Sequence, residues 1–371
     1  MAHRARAAGR RSSLRRRVAT LLPILLVVLL TACRLASERL REAAPSISRI
    51  AFGSCAHQAY PQPIWDAVLA AEPELFIFVG DNIYADTADM RLMRQAYERQ
   101  RANPGWQRLF AATEVLATWD DHDFGLNDGG ADFVAKEASK EEFVRFFGVP
   151  EGAPLRHRPG IYSARVMGPP GRRLQVILLD TRTFRGPLRR RPGNAEDSIH
   201  GRYLRQTDPG VTLLGDAQWR WLEAQLQRPA ELRLLVSSIQ LVADDHGWEK
   251  WGNLPRERAR LLALLRSTGA GGVVVLSGDR HLAEISRLDS VAEVGYPLYD
   301  VTASGLNRSG GGYDGEPNRH RVGRGNFRRE NFGWIEVDWS LEDPSIRLEI
   351  RDVNGRPALS AVVRLSDLSP S

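Results

Sequence analysis

A layered α/β fold with a β-rich C-terminal end is predicted by three observations. Six short apolar runs recur between residues 49 and 276, helical patterns alternate with them, and three further strand-like segments follow residue 331. Most of the runs are apolar on both faces, which suits strands of a sheet covered on each side.

Taken in order, the apolar runs are 49–52, 75–79, 115–119, 174–179, 232–236 and 272–276. Between the first two, 63–71 opens on Pro63, whose fixed φ suits the first turn of a helix. Residues 216–227 place Trp219, Leu222 and Leu226 at i, i+3 and i+7, and 255–265 repeat the device with Leu261, Leu262 and Leu265 behind Pro255. The closing segments 334–339, 346–353 and 360–365 are separated by Asp/Pro and Asn-Gly turns, which marks them as strands. Residues 306–325, rich in Gly, Asn and Arg, are expected to form a mobile loop.

The 371-residue chain carries a net charge of +6, yet seven arginines precede residue 33 with no acidic residue among them. The remainder is close to neutral, so a nucleic-acid partner loses its electrostatic support, and no protein partner is signalled. The basic start leads into the apolar run 21–30 and then Leu30-Thr31-Ala32-Cys33. That run is shorter than the ~20 residues of a membrane span. Its order matches a lipoprotein signal peptide over 1–32, with Cys33 as the lipidated first residue, a polar tether over 33–46 and a single folded domain over 47–371. An exported chain anchored on the periplasmic or cell-envelope face follows; a plain secretory leader or an uncleaved anchor is the alternative. Of the 2 cysteines, Cys55 then remains the sole thiol, either buried and inert or held by a metal.

Chemistry collects at the ends of the runs. The first leads into Gly53-Ser54-Cys55, the second into Gly80-Asp81, the third into Asp120-Asp121-His122-Asp123, and the run at 272–276 into Ser277-Gly278-Asp279-Arg280-His281. In α/β sheets ligands bind beyond the carboxyl ends of the strands, so the four segments are expected to converge. Several carboxylates meeting in one place repel unless a cation neutralises them. Thiolate and phenolate ligands suit ferric iron or zinc, whereas carboxylate and amide ligands suit calcium or manganese, so two unlike metals are expected. No Gly-x-Ser-x-Gly elbow surrounds Ser54, which argues against a serine hydrolase.

The ordered series Phe52-Gly53-Ser54-Cys55, Gly80-Asp81-Asn82-Ile83-Tyr84-Ala85-Asp86, Trp119-Asp120-Asp121-His122-Asp123 with Asn127, Asp180-Thr181-Arg182 and Ser277-Gly278-Asp279-Arg280-His281-x-Ala283-Glu284 resembles the alkaline phosphatase D family of metallophosphoesterases. The resemblance runs from about residue 48 to the C-terminus. It implies a calcineurin-like, four-layer α/β/β/α sandwich, with iron (Fe3+) held by Cys55, Asp81 and Tyr84, calcium nearby and Asp81 bridging. Asp121, Asn127, Asp279 and His281 match further metal-side positions, and His122 stands where relatives keep a histidine beside the phosphate. Asp123 departs from the glutamate common there. Arg182 is expected on the substrate phosphate, with a salt bridge as the alternative for it and Arg185, and His246 either at the mouth of the site or on a surface loop. The implied activity is metal-dependent hydrolysis of phosphate monoesters, diesters or both, by a metal-bound hydroxide with His122 assisting the leaving oxygen. A phospholipase D-like or other phosphodiester-specific hydrolase, and a non-catalytic metal- or phosphate-binding lipoprotein, are the alternatives.

Overall fold

The computed structural model describes residues 45–193 and 201–370. The leader, the lipidation site at Cys33 and nearly all of the tether lie outside the described residues. Among the described residues, no helix is long and apolar enough to cross a membrane.

The chain begins one sheet, builds a second, and returns to finish the first. Strands β1 (Arg49–Gly53), β2 (Leu75–Val79) and β3 (Glu114–Thr118) run parallel, with Phe52 beside Ile77 and Ile77 beside Leu116. The second sheet takes β4 (Ser163–Met167) and β5 (Leu174–Leu178). After a two-residue ribbon of β6 (Arg189–Arg190) and β7 (Tyr203–Leu204), it continues with β8 (Leu232–Val236), β9 (Val273–Ser277), β10 (Ala283–Leu288) and β11 (Leu298–Ala303). Antiparallel β12 (Asn331–Asp338), β13 (Ser345–Asp352) and β14 (Pro357–Arg364) then extend the first sheet from the β1 side. Each main sheet has 6 strands, in orders β14-β13-β12-β1-β2-β3 and β10-β11-β9-β8-β5-β4.

Side-chain alternation along β2 shows how the sheets use their faces. Leu75, Ile77 and Val79 join a cluster with Leu234, Val275 and Val301 of the second sheet, while Phe76 and Phe78 join Trp65 and Trp106 from helices Ile64–Ala70 and Pro104–Ala112. At the site end, Ser54 and Ser304 form a parallel bridge in which the Ser54 N–H donates to the Ala303 carbonyl at 3.0 Å. The carboxyl ends of β1 and β11 are thereby pinned together.

Strands β4, β10 and β11 and helix Pro104–Ala112 add to the elements expected from the sequence, and two further differences stand out. Helix Met90–Arg101 buries Met93 and Tyr97 four residues apart on one face among charged residues, and Lys136–Phe146 buries Lys140 and Glu142 beside Phe143, so polarity does not mark the inner face of the second. Residues 306–325 lack helix and strand as expected, but ion pairs fasten them: Arg280 to Glu316 at 2.6 Å, Arg321 to Glu284 at 2.8 Å, and Arg319 to Asp245.

Candidate metal centre

Backbone geometry sets the site before any side chain is considered. Cys55, Asp81, Asp279 and His281 all follow parallel strands and all adopt left-handed backbone, with φ of 64°, 51°, 67° and 53°. Such conformations cost non-glycine residues about 1–3 kcal/mol each and persist where the surroundings over-determine them. Gly80 makes the close approach feasible, because a Cβ there would sit 2.5 Å from the Asp120 Cβ. At Gly278 a Cβ would overlap the Ser54 Oγ.

Three groups of ligating atoms result, each with members within 4.8 Å of one another: Cys55, Asp81 and His281; Asp81, Asp121 and His122; Asp120, Asp121 and Asp279. Asp81 belongs to the first two and Asp121 to the last two, so the groups form one chain of donors. Cys55 Sγ lies 3.3 Å from Asp81 Oδ2. The Tyr84 hydroxyl closes the first group at 3.4 Å from Asp81 Oδ2 and 2.9 Å from His281 Nε2. Asp121 Oδ2 accepts from the Asp128 backbone N–H at 2.7 Å.

The electrostatics are those of anions crowded out of water. Burial pushes the Cys55 thiol up to about 11 and holds the Asp81 and Asp279 carboxyls well above the usual range, with neighbouring anions adding to the effect. Burial likewise raises Asp120 and Asp123 to about 7, against the opposing pull of Arg182 on the former. Against its own burial, His122 is held up to about 11 by Asp121, Asp81 and Asp86. Burial draws His281 down to about 4, leaving its ring neutral as a ligand requires. Carboxyls that resist ionisation together become compatible with a shared cation.

Placement of the remaining candidates is mixed. Asn127 is exposed and donates to Asp128 at 2.9 Å, but lines the same open cleft of about 200 Å³ as Asp121, His122, Asp279 and His281. Arg182 requires a correction. Its guanidinium is fully buried behind the centre, donating to Asp120 at 2.6 Å and Glu249 at 2.7 Å, so it neutralises buried carboxylates and does not reach the cleft. The arginines that do line the cleft are Arg202 and Arg280, whose guanidiniums lie 5.6 and 5.5 Å from the centre of the Trp248 ring. His246 is buried, with Nε2 on Gln240 at 2.9 Å and Nδ1 accepting from the Trp248 N–H at 3.2 Å, and so braces that wall.

Two functional candidates escaped sequence reasoning. Asp86 grips His122 Nδ1 at 2.8 Å, and Asp120 leaves its Oδ2 without a hydrogen-bond partner beside Asp121 and Asp279. Asp86 lies within the quoted second motif, but nothing local ties it to a histidine 36 residues away.

A family model described as PhoD-like phosphatase matches residues 50–314, which takes in every residue placed above in the donor groups. The chain belongs to the PhoD-like phosphatase family. It is similar to alkaline phosphatase D of Bacillus subtilis strain 168, with 26% identity over 278 residues, covering 64% of this chain and 46% of that protein. The chain thus spans less than half the length of that relative. Its fold is similar to the solved structure of PhoD, with a TM-score of 0.62 at 19% identity, covering 87% of this chain and 69% of the other.

The residues of this chain fit metal ions on their own chemistry. The first group joins a thiol, a phenol, an imidazole and a carboxylate, and the last of the three is carboxylate throughout, with an orphaned buried Asp120 oxygen. Soft and hard donor sets side by side suit unlike cations.

Proposed function

We propose that the chain hydrolyses phosphate esters at two unlike metal ions, iron held by Cys55, Asp81, Tyr84 and His281, and calcium or a similar hard cation held by Asp121, Asp279, Asp120 and Asn127. The observation that carries this reading is the sharing of Asp81 and Asp121 between adjoining donor groups, whose Asp121, His122, Asp279 and His281 line an open cleft. Family membership and the printed name of the Bacillus subtilis relative support phosphoester hydrolysis over a passive binding role. Bound ions of this kind supply an activated water and neutralise phosphoryl oxygens.

The chain's own side chains do the rest. His122 holds its Nδ1 on Asp86, which leaves Nε2 as the nitrogen to serve the leaving oxygen. Arg202 and Arg280 present positive charge to an entering phosphate, while Asp128 orients Asp121 through its backbone N–H. The split of β2 side chains between two clusters supports the four-layer α/β/β/α arrangement. Metal analysis of purified chain, beside assays on one phosphomonoester and one phosphodiester, tests the reading; protein that holds full metal and turns over neither ester defeats it.

Export and lipidation at Cys33 remain part of the proposal, supported by the order of basic start, short apolar run and Leu-x-Ala-Cys. Mass spectrometry of the mature N-terminus tests them, and a retained leader or a mature N-terminus at any other residue defeats the lipid anchor.

A further inference from the structure

A second cavity of about 470 Å³ backs onto the metal cleft. The two share a wall: Arg202, Trp248, Glu249 and Gly312 line the cleft, while their chain neighbours Tyr203, Gly247, Lys250 and Tyr313 line the second cavity. Tyr203 links the two, since its hydroxyl donates to Oδ2 of Asp128 in the cleft at 2.6 Å.

The polar groups on this wall are out of balance. Lys250 is 4% exposed, and among the described residues its ammonium hydrogen-bonds only to the His246 carbonyl. Asp244 and Asp245 attract it, but neither ion-pairs with it, so the desolvated ammonium keeps one neutral hydrogen-bond partner and no salt bridge of its own. Asn253 is 1% exposed; its Oδ1 accepts from the Lys250 N–H at 2.8 Å, which leaves its Nδ2 as a donor with no partner. Arg191 also lines the cavity and has no ion pair among the described residues. The carboxylates present are already engaged. Asp244 pairs with Arg205 at 2.6 Å and Asp245 accepts from Arg319 Nε at 2.8 Å, while the free Asp244 Oδ1 packs where a Cβ on Gly252 would overlap it. An ammonium, a guanidinium and an orphaned amide therefore remain for something negatively charged.

We propose that this cavity is a second anion site, in which Lys250, Asn253 and Arg191 bind a dianionic phosphoryl group. Tetrahedral oxyanions carry enough acceptor oxygens to meet all three donors at once. The group comes either from free phosphate or from the distal phosphate of a substrate whose scissile ester lies in the metal cleft. The site stands independently of the hydrolysis reading, because binding alone reveals it.

Inorganic phosphate titrated calorimetrically into the metal-loaded full chain is expected to fill two sites. Asp81→Asn should abolish the metal-cleft site and keep the other, whereas Lys250→Met and Arg191→Glu should each weaken the other at least ten-fold. If Lys250→Met fails to fold, Arg191→Glu still decides, because that side chain is only partly buried. A single site abolished by Asp81→Asn overturns the proposal, as does a second site indifferent to both cavity substitutions. Glucose 1,6-bisphosphate and glucose 1-phosphate, compared on His122→Ala to slow turnover, separate the sources. A gain of at least ten-fold for the bisphosphate, lost in Lys250→Met, indicates a distal phosphate; no gain alongside two phosphate sites indicates free phosphate. Should the chain hydrolyse no ester, the proposed function fails while the phosphate titration still decides this site.

Discussion

The two sheets contribute to the centre unequally. From the carboxyl ends of β1, β2 and β3 come Cys55, Asp81, Tyr84, Asp120, Asp121 and His122, which supply most of the donors. The second sheet sends Asp279 and His281, but otherwise hydroxyls and carboxylates that hold the first set in place. Ser304 Oγ lies 3.1 Å from Cys55 Sγ and accepts from the His281 N–H at 2.8 Å. Ser238 Oγ donates to Asp120 at 2.6 Å, and Asp180 accepts from the Trp119 indole at 3.0 Å. Both sheets carry ligands on left-handed turns, but the first supplies most of the donors and the second adds the contacts that fix their rotamers, which is how an outer layer of contacts tunes a metal site.

That contrast is broken most directly at Asp81. Asp81→Ala, which removes the donor shared by two groups, is expected to lose bound metal and to bring turnover down to background, read by metal stoichiometry beside a phosphatase assay. Metal retained at full stoichiometry would remove Asp81 from the ligand set.

His122 and Asp86 come next, because they assist without completing the ligand set. His122→Ala is expected to keep its metal while kcat falls roughly 10² to 10⁴-fold, with a smaller loss for a phenolic than for an alkyl leaving group. Asp86→Asn should shift the same leaving-group dependence to a lesser degree, since it disturbs only the partner at Nδ1. Equal losses for both leaving groups exclude a proton-donor role for His122.

On the supporting sheet, Ser304→Ala is expected to weaken metal binding by about 10 to 100-fold, the scale of groups that orient ligands, with the fold intact. A metal titration followed through Cys55 charge-transfer absorbance measures it. An unchanged affinity would show that the Cys55 turn holds itself.

The smallest effect is on stability against pH. In metal-free protein Asp81, Asp120, Asp123 and Asp279 have raised pKa values, so the folded chain binds more protons than the unfolded one as pH rises above about 4. Stability falls through that window, to about pH 7 for Asp120 and Asp123. His281 and His246, with lowered values, act in the opposite sense below about 6.5 but are outnumbered. The Tm of metal-free protein is therefore expected to drop modestly from pH 4 to 7 and that of loaded protein to stay flatter; parallel Tm profiles would show that the ions do not relieve the carboxyl crowding.

Sequence by itself determined the strand runs of the first sheet, those of β5, β8 and β9 in the second, and the places where chemistry leaves them. The run 75–79 reappears as β2 residue for residue, because a strand covered on both faces needs an apolar stretch that no turn imitates, and 232–236 reappears as β8 with Arg233 as its one polar residue. The clusters after β1, β2, β3 and β9 were legible for the same reason: polar residues that end such a stretch stand out. Only the tertiary structure decided partners. Arg182 follows β5 with the same local signature as a phosphate-binding arginine, yet it is buried against Asp120 and Glu249, which lie 62 and 67 residues away. Asp86 reached His122, Asp120 kept an oxygen free, and Lys250 was left facing a second cavity by the same means. Charge pairing is set by distances across the fold, and residues remote in sequence fix those distances only once the two sheets have packed.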